Sequence, residues 1–172
     1  MSPLRCNLER KSRHQDLAAA GATVVRRGAH VHSEEAQVDT YFHVPHGRLK
    51  LREINGISAT LIAYDRPDQE GSRLSSYHLV PVFHTAGLKA ALAAALGVRG
   101  VVRKRRTIYL WHNVRIHLDE VEGLGTFVEF EAVLGPDEDE ATAEVRLEEL
   151  GRALAIDATA YLAPSYADLL ST

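Results

Sequence analysis

Cysteine is nearly absent. Cys6 is the one thiol in 172 residues, which excludes an internal disulfide and a cysteine-built zinc site and points to an intracellular, cytoplasmic protein. Long hydrophobic runs are also missing: the purely apolar stretches cover only a few residues, so no segment reads as a bilayer span and no membrane partner is expected. Charge interrupts the chain after Arg5 and Arg10, before a signal-peptide core could form. An excess of positive charge is lacking too. Twenty Lys and Arg against 23 Asp and Glu give −3, which speaks against a nucleic acid polymer as partner.

What is present is arginine, 16 of the 20 basic residues, concentrated between Arg5 and Arg115, with acids dominating from Asp119 to Glu149. Arginine suits bidentate carboxylate and phosphate contacts. With 45% hydrophobic and 25% charged residues, the composition is that of one globular domain, read as residues 1–172 with a C-terminal helical segment over about 137–170.

Period-two patterning predicts strands at Arg5–Arg13, Gln37–Val44, Arg48–Ile54, Ala59–Arg66, Tyr77–Phe83, Val101–Trp111, Val114–Val121 and Phe127–Leu134. Asn55-Gly56 marks a hairpin turn. A short helix is expected from Asp16 to Ala20, stopped by Gly21, with a connection over 22–35 and a polar loop from Asp68 to Ser75 that orders when substrate binds. Thr85 is placed as the cap of a helix reaching about Leu96, and Val145, Leu147 and Leu150 as the apolar stripe of a surface helix ending at Gly151. A last short helix contains Tyr166, Leu169 and Leu170. The fold class is mainly β (α+β).

The polar faces of these strands are unusual. Asn7, Glu9 and Lys11 share one face, as do Arg48, Lys50 and Arg52; Lys104 and Arg106; Arg115, His117 and Asp119; and Glu129 and Glu131. Solvated faces of a small antiparallel protein alternate in the same way. The other arrangement is a closed barrel with its polar face inward and its apolar face covered by helices. Its interior would hold four carboxylates (Glu9, Asp119, Glu129, Glu131) against seven bases (Lys11, Lys50, Arg52, Arg66, Lys104, Arg106, Arg115), leaving +3. Glu129-x-Glu131 sits among Phe127, Val128, Phe130 and Val133, and two carboxylates so close repel unless a cation or bases lie between them. A hard divalent ion with oxygen ligands fits this cluster, and the surplus of bases fits a polyphosphate.

These motifs resemble the CYTH superfamily, the triphosphate tunnel metalloenzymes. Asn7-x-Glu9-x-Lys11 is similar to its N-terminal signature, more often Glu-x-Glu-x-Lys. The likeness continues through Gln37-Val38-Asp39-Thr40-Tyr41-Phe42, Gly47 to Glu53, Arg66, Lys104-Arg105-Arg106, Arg115 to Asp119 and Gly125 to Glu131, in order over roughly residues 5–134. The tail Ser165 to Leu170 resembles that of bacterial class IV adenylate cyclase-like proteins. The resemblance implies an eight-stranded antiparallel closed β-barrel, or tunnel, with flanking helices. It implies Mg2+ or Mn2+ on Glu9, Asp119, Glu129 and Glu131, with the Asn7 oxygen assisting. Phosphate clamps would be Lys11, Lys50, Arg52, Arg66, Lys104, Arg106 and Arg115, joined by His117.

The implied partner is a triphosphate-containing small molecule: ATP, inorganic tripolyphosphate or thiamine triphosphate. The leading expectation is hydrolysis of the terminal phosphoanhydride by metal-activated water, with Glu9, Lys11, Asp119 and Glu129 as catalytic residues and Tyr41 assisting. The alternatives are a class IV adenylate cyclase forming cyclic AMP and pyrophosphate, and a non-catalytic polyphosphate-binding module. A homodimer is compatible with the family. Two departures stand out: Asn7 replaces a glutamate, and Tyr64-x-Arg66 stands where many hydrolytic members carry a lysine. Arginine clamps phosphate but does not accept a proton.

Overall fold

The computed structural model describes residues 4–67, 71–136 and 138–171. Eight strands form in chain order: β1 (Arg5–Arg13), β2 (His30–Phe42), β3 (Arg48–Ile54), β4 (Ser58–Asp65), β5 (Arg73–Val82), β6 (Val98–Trp111), β7 (Val114–Val121) and β8 (Gly125–Leu134). They close into an antiparallel barrel ordered β1-β5-β4-β3-β2-β6-β7-β8. Closure comes from β1 against β8, where Glu9 pairs with Glu131 and Lys11 with Glu129. The helices α1 (Leu17–Arg26), α2 (Thr85–Leu96), α3 (Glu140–Ala153) and α4 (Tyr166–Leu170) flank the barrel. None among the described residues is long and apolar enough to cross a membrane.

Strand alternation places the apolar rows outside, where helices cover them. Leu8, Ile116, Leu118, Val128 and Phe130 from β1, β7 and β8 pack with Ala20 and Val24 of α1 and Leu147 and Leu150 of α3. On the other side Leu49, Leu51, Ala59 and Leu61 of β3 and β4 meet Leu88, Leu92 and Leu96 of α2. A third cluster (Tyr41, Val102, Val121, Phe127, Tyr166 and Ala167) closes one end of the barrel with α4. The remaining inward face is largely polar, with Ile62 and Leu79 among its charged residues.

The β3–β4 hairpin turns at Asn55 and Gly56, whose positive φ values (54° and 67°) are those such a turn requires. Several local expectations are corrected. Helix α1 runs through Gly21 to Arg26 instead of stopping there. A Cβ at Gly21 would lie 2.7 Å from the Tyr109 hydroxyl, so the glycine marks a close approach of α1 to β6. The stretch 22–35 is the second half of α1 and the start of β2, not a connection.

His84, not Thr85, is the N-cap of α2, and it makes no side-chain capping bond. Helix α3 continues two residues past Gly151, and its Leu147 and Leu150 are fully buried while Val145 faces solvent. The polar loop expected over 68–75 ends earlier, because Arg73–Ser75 already belong to β5; residues 68–70 lie outside the described residues.

Candidate active site

The inward rows of the strands enclose a cavity of about 180 Å³. Asn7, Glu9 and Lys11 (β1), Lys50 and Arg52 (β3), Lys104 and Arg106 (β6), Arg115 (β7) and Glu129 and Glu131 (β8) all line it, as do Tyr41 and Arg66. Residues scattered from position 7 to 131 thus reach one volume because each sits at the inward phase of its strand. His117 and Asp119 share the inward face of β7 but stand behind the cavity surface, both buried.

The charges are organised in three knots. In the first, Arg106 holds Asp119 with both ends of its fork, Nε to Oδ1 at 2.7 Å and Nη2 to Oδ2 at 2.6 Å, and reaches Glu129 Oε2 at 2.8 Å. The Tyr166 hydroxyl of α4 donates to Asp119 Oδ2 at 2.8 Å, and Lys104 Nζ lies 3.7 Å from the same oxygen. In the second, Arg52 grips Asp39 by two 2.7 Å bonds and Lys50 adds a third at 3.1 Å. In the third, Arg66 donates to Glu9 at 2.6 Å, with Arg73 3.5 Å from the same oxygen.

Protonation follows this wiring. Burial works against the charge of Asp119, but Arg106 and Lys104 outweigh it and hold the carboxyl at about 2. Burial opposes ionisation of Asp39 as well, and Arg52 and Lys50 keep it well below the usual carboxylate range. At Glu129 burial is overcome by the His117 hydrogen bond and Arg106, again a downward shift. Glu9 goes the other way: burial and the neighbouring Glu129 raise it despite Arg66. Burial brings Lys11 down to about 8 and, with Arg106 beside it, Lys104 down to about 7. Tyr41 is driven upward by burial, so its phenol stays protonated and can donate a hydrogen bond.

The acidic wall fits a hard cation. One donor atom each from His117, Glu129 and Glu131 lie within 4.8 Å of one another, and Glu9 faces Glu131 across the β1–β8 pair. The Asn7 Oδ1 atom is buried beside them without a hydrogen-bond partner. With Glu9 raised by burial and then by Glu129, and an unpaired amide oxygen close by, this wall is rich in oxygen donors. Asp119 is placed differently, since Arg106 and Tyr166 already occupy its oxygens.

Two charged residues of the interior, Arg73 and Asp39, were not singled out from the sequence as site residues. Arg73 is fully buried and donates to the Ala163 carbonyl at 2.8 Å, besides bonding Leu162. The alternation Arg73, Ser75, Tyr77 was the signal for it. Asp39 shares the inward phase of β2 with Gln37 and Tyr41, and that alternation was its signal. They add one base and one acid, so the balance is unchanged. The C-terminal segment also enters the site: Lys11 bonds the Pro164 carbonyl, and its ammonium lies 4.4 Å above the Tyr166 ring.

A closed antiparallel barrel with an inward set of arginines, lysines and carboxylates defines a tunnel protein for a polyanion. The chain belongs to the CYTH family, whose domain model matches residues 6–166. Its fold is similar to that of PH1012 from Pyrococcus horikoshii OT3 (23% identity, covering 95% of this chain and 98% of that one, TM-score 0.81). A Pyrococcus furiosus protein is similar at 19% identity, 95% and 99% coverage and a TM-score of 0.79. A Vibrio parahaemolyticus protein provisionally named an adenylate cyclase is similar at 21% identity, 96% and 98% coverage and a TM-score of 0.75. Among proteins of curated function, no sequence matches this chain.

Proposed function

We propose that the protein is a divalent-metal-dependent triphosphatase that hydrolyses the terminal phosphoanhydride of a triphosphate inside the tunnel. The observation that carries this reading is one lumen lined by Lys11, Lys50, Arg52, Arg66, Lys104, Arg106 and Arg115 on the same cavity as Glu9, Glu129 and Glu131. The bases neutralise and orient the phosphate oxygens. Glu9, Glu129, Glu131 and Asn7 would hold Mg2+ or Mn2+, with His117 supporting Glu129. A cation held there supplies charge neutralisation on the phosphate and a more acidic bound water.

The chain's own residues do the rest. Water attacks the terminal phosphorus, the bond to the bridging oxygen breaks, and orthophosphate leaves with the shortened polyphosphate. Glu9 and Glu129 orient that water, while Tyr41 donates a hydrogen bond. Asp119 acts through Arg106, holding its Nε and Nη2 from behind the lumen wall.

Cyclisation of ATP is the second reading, and Arg66 favours it: a guanidinium bonded to Glu9 does not accept a proton from water. Purified protein with magnesium or manganese, offered ATP, inorganic tripolyphosphate and thiamine triphosphate, separates the two. Orthophosphate with a shortened substrate is the expected product. Cyclic AMP with stoichiometric pyrophosphate establishes the cyclase, and tight binding without any product leaves a binding module.

A further inference from the structure

Asp39 is 1% exposed and stands behind the lumen wall, outside the set of residues that line the cavity. Pairing of β2 with β3 sets it directly opposite Arg52 and sets its neighbour Tyr41 opposite Lys50. From there one carboxylate meets both bases. Oδ1 accepts from Arg52 Nε at 2.7 Å, and Oδ2 accepts from Arg52 Nη2 at 2.7 Å and from Lys50 Nζ at 3.1 Å. Lys50 and Arg52 do line the cavity, as does Lys104 of β6, whose charge adds to the attraction that keeps Asp39 ionised.

Fastening β2 to β3 does not explain this arrangement. The two strands are already paired from Gln37–Ile54 to Phe42–Leu49, and a buried ion pair adds little once the desolvation of its charges is counted. What the carboxylate does fix is direction. Lys50 and Arg52 are like charges on one face of β3, each on a long side chain with many rotamers. Asp39 holds the Nε–Nη2 edge of Arg52, which fixes the plane of the guanidinium. The Lys50 ammonium is kept 5.4 Å from the centroids of both the Tyr41 and the Tyr64 ring.

We infer that Asp39 is a positioning residue of the phosphate clamp, holding Arg52 and Lys50 in one arrangement before the triphosphate arrives. This rests on the triphosphate reading above and adds to it a residue that acts through two others. Donors already fixed give up little side-chain freedom when a ligand binds, so more of their attraction appears as affinity. Asp39→Asn keeps the volume, removes one negative charge and turns an acceptor oxygen into a donor facing two cations. Bases acting only as diffuse positive charge would then bind a polyanion more tightly. Bases acting through direction bind it less tightly.

Titration calorimetry with magnesium, using inorganic tripolyphosphate as the probe, decides between these. Asp39→Asn is expected to weaken binding at least tenfold despite the added positive charge. Arg52→Met weakens it as well, and the double variant should fall short of the product of the two losses by at least threefold, because Asp39 then has no fork to hold. If Asp39→Asn does not fold, Asp39→Glu takes its place: the charge stays, the carboxylate moves by one methylene, and binding should fall at least threefold. Unchanged or tighter binding in the variant used, or losses that multiply in full, overturns the inference and leaves the proposed function standing. A wild type that does not bind tripolyphosphate overturns both.

Discussion

Glu129 is the residue at which the three functions of the tunnel meet. It accepts from Arg106, lies 3.4 Å from His117 Nδ1 and faces the cavity with Glu131. Glu129→Gln keeps the shape and removes the charge. Metal-dependent turnover is expected to fall at least a hundredfold, with triphosphate affinity staying within tenfold; equal losses in both would mean that Glu129 serves binding alone. Lys104 makes a separate prediction. Its ammonium sits at about 7 in the folded chain against an ordinary value of 10.5. Between those values the unfolded chain binds more protons, so this group's contribution to stability rises with pH. The Tm of the wild type minus that of Lys104→Met should therefore become more positive from pH 7 to pH 9. A flat difference would show that Lys104 is not a buried, depressed ammonium.

At the scale of elements, the short α4 does more than its five residues suggest. Its capping box joins Ser165 and Asp168, and Asp168 also pairs with Arg99 and, at 3.5 Å, with Arg48. That anchorage places Tyr166 on Asp119 and presents the carbonyls of Leu162, Ala163 and Pro164 to Arg73, Arg66 and Lys11. Ser165→Ala, which removes the N-cap, should cost about 0.5–2 kcal/mol in urea unfolding, the ordinary range for a lost cap. It should also weaken triphosphate binding, because the clamp residues Lys11 and Arg66 lose their support. Unchanged stability would show that the capping box does not hold the segment. The same element explains what the sequence left unread. Arg5–Arg13, Arg48–Ile54 and Val114–Val121 were legible because alternation is local. The packing of α4 against β1 and β6 was not, since Lys11 and Pro164 are 153 positions apart. Gly21 was misread for the same reason: Tyr109, which approaches it closely, is remote in the chain.

The whole molecule is a barrel whose packing lies largely outside its wall, between strands and helices, leaving the interior to charge. Eight bases and five acids enclosed together carry excess positive charge, so an anionic ligand should stabilise the fold strongly. At a hundred times its dissociation constant, a bound triphosphate adds about 2.7 kcal/mol. For a chain of this length that raises Tm by roughly 5–10 °C. Triphosphate with magnesium should reach this shift; no shift at saturating concentration would exclude the tunnel as the binding site.

Sequence alone determined the strand rows, the hairpin at Asn55-Gly56 and the residue types that share each face, because side-chain period and turn chemistry act over a few positions. It also held the family motifs. Only the tertiary structure decided that the charged rows point inward, since the same alternation serves a solvated sheet until the ends of the sheet join. It decided as well which charge meets which: Asp39 with Arg52, Asp119 with Arg106 and Tyr166, Glu9 with Arg66. Those pairings are set by barrel closure, and they assign each carboxylate its protonation and its part in the site.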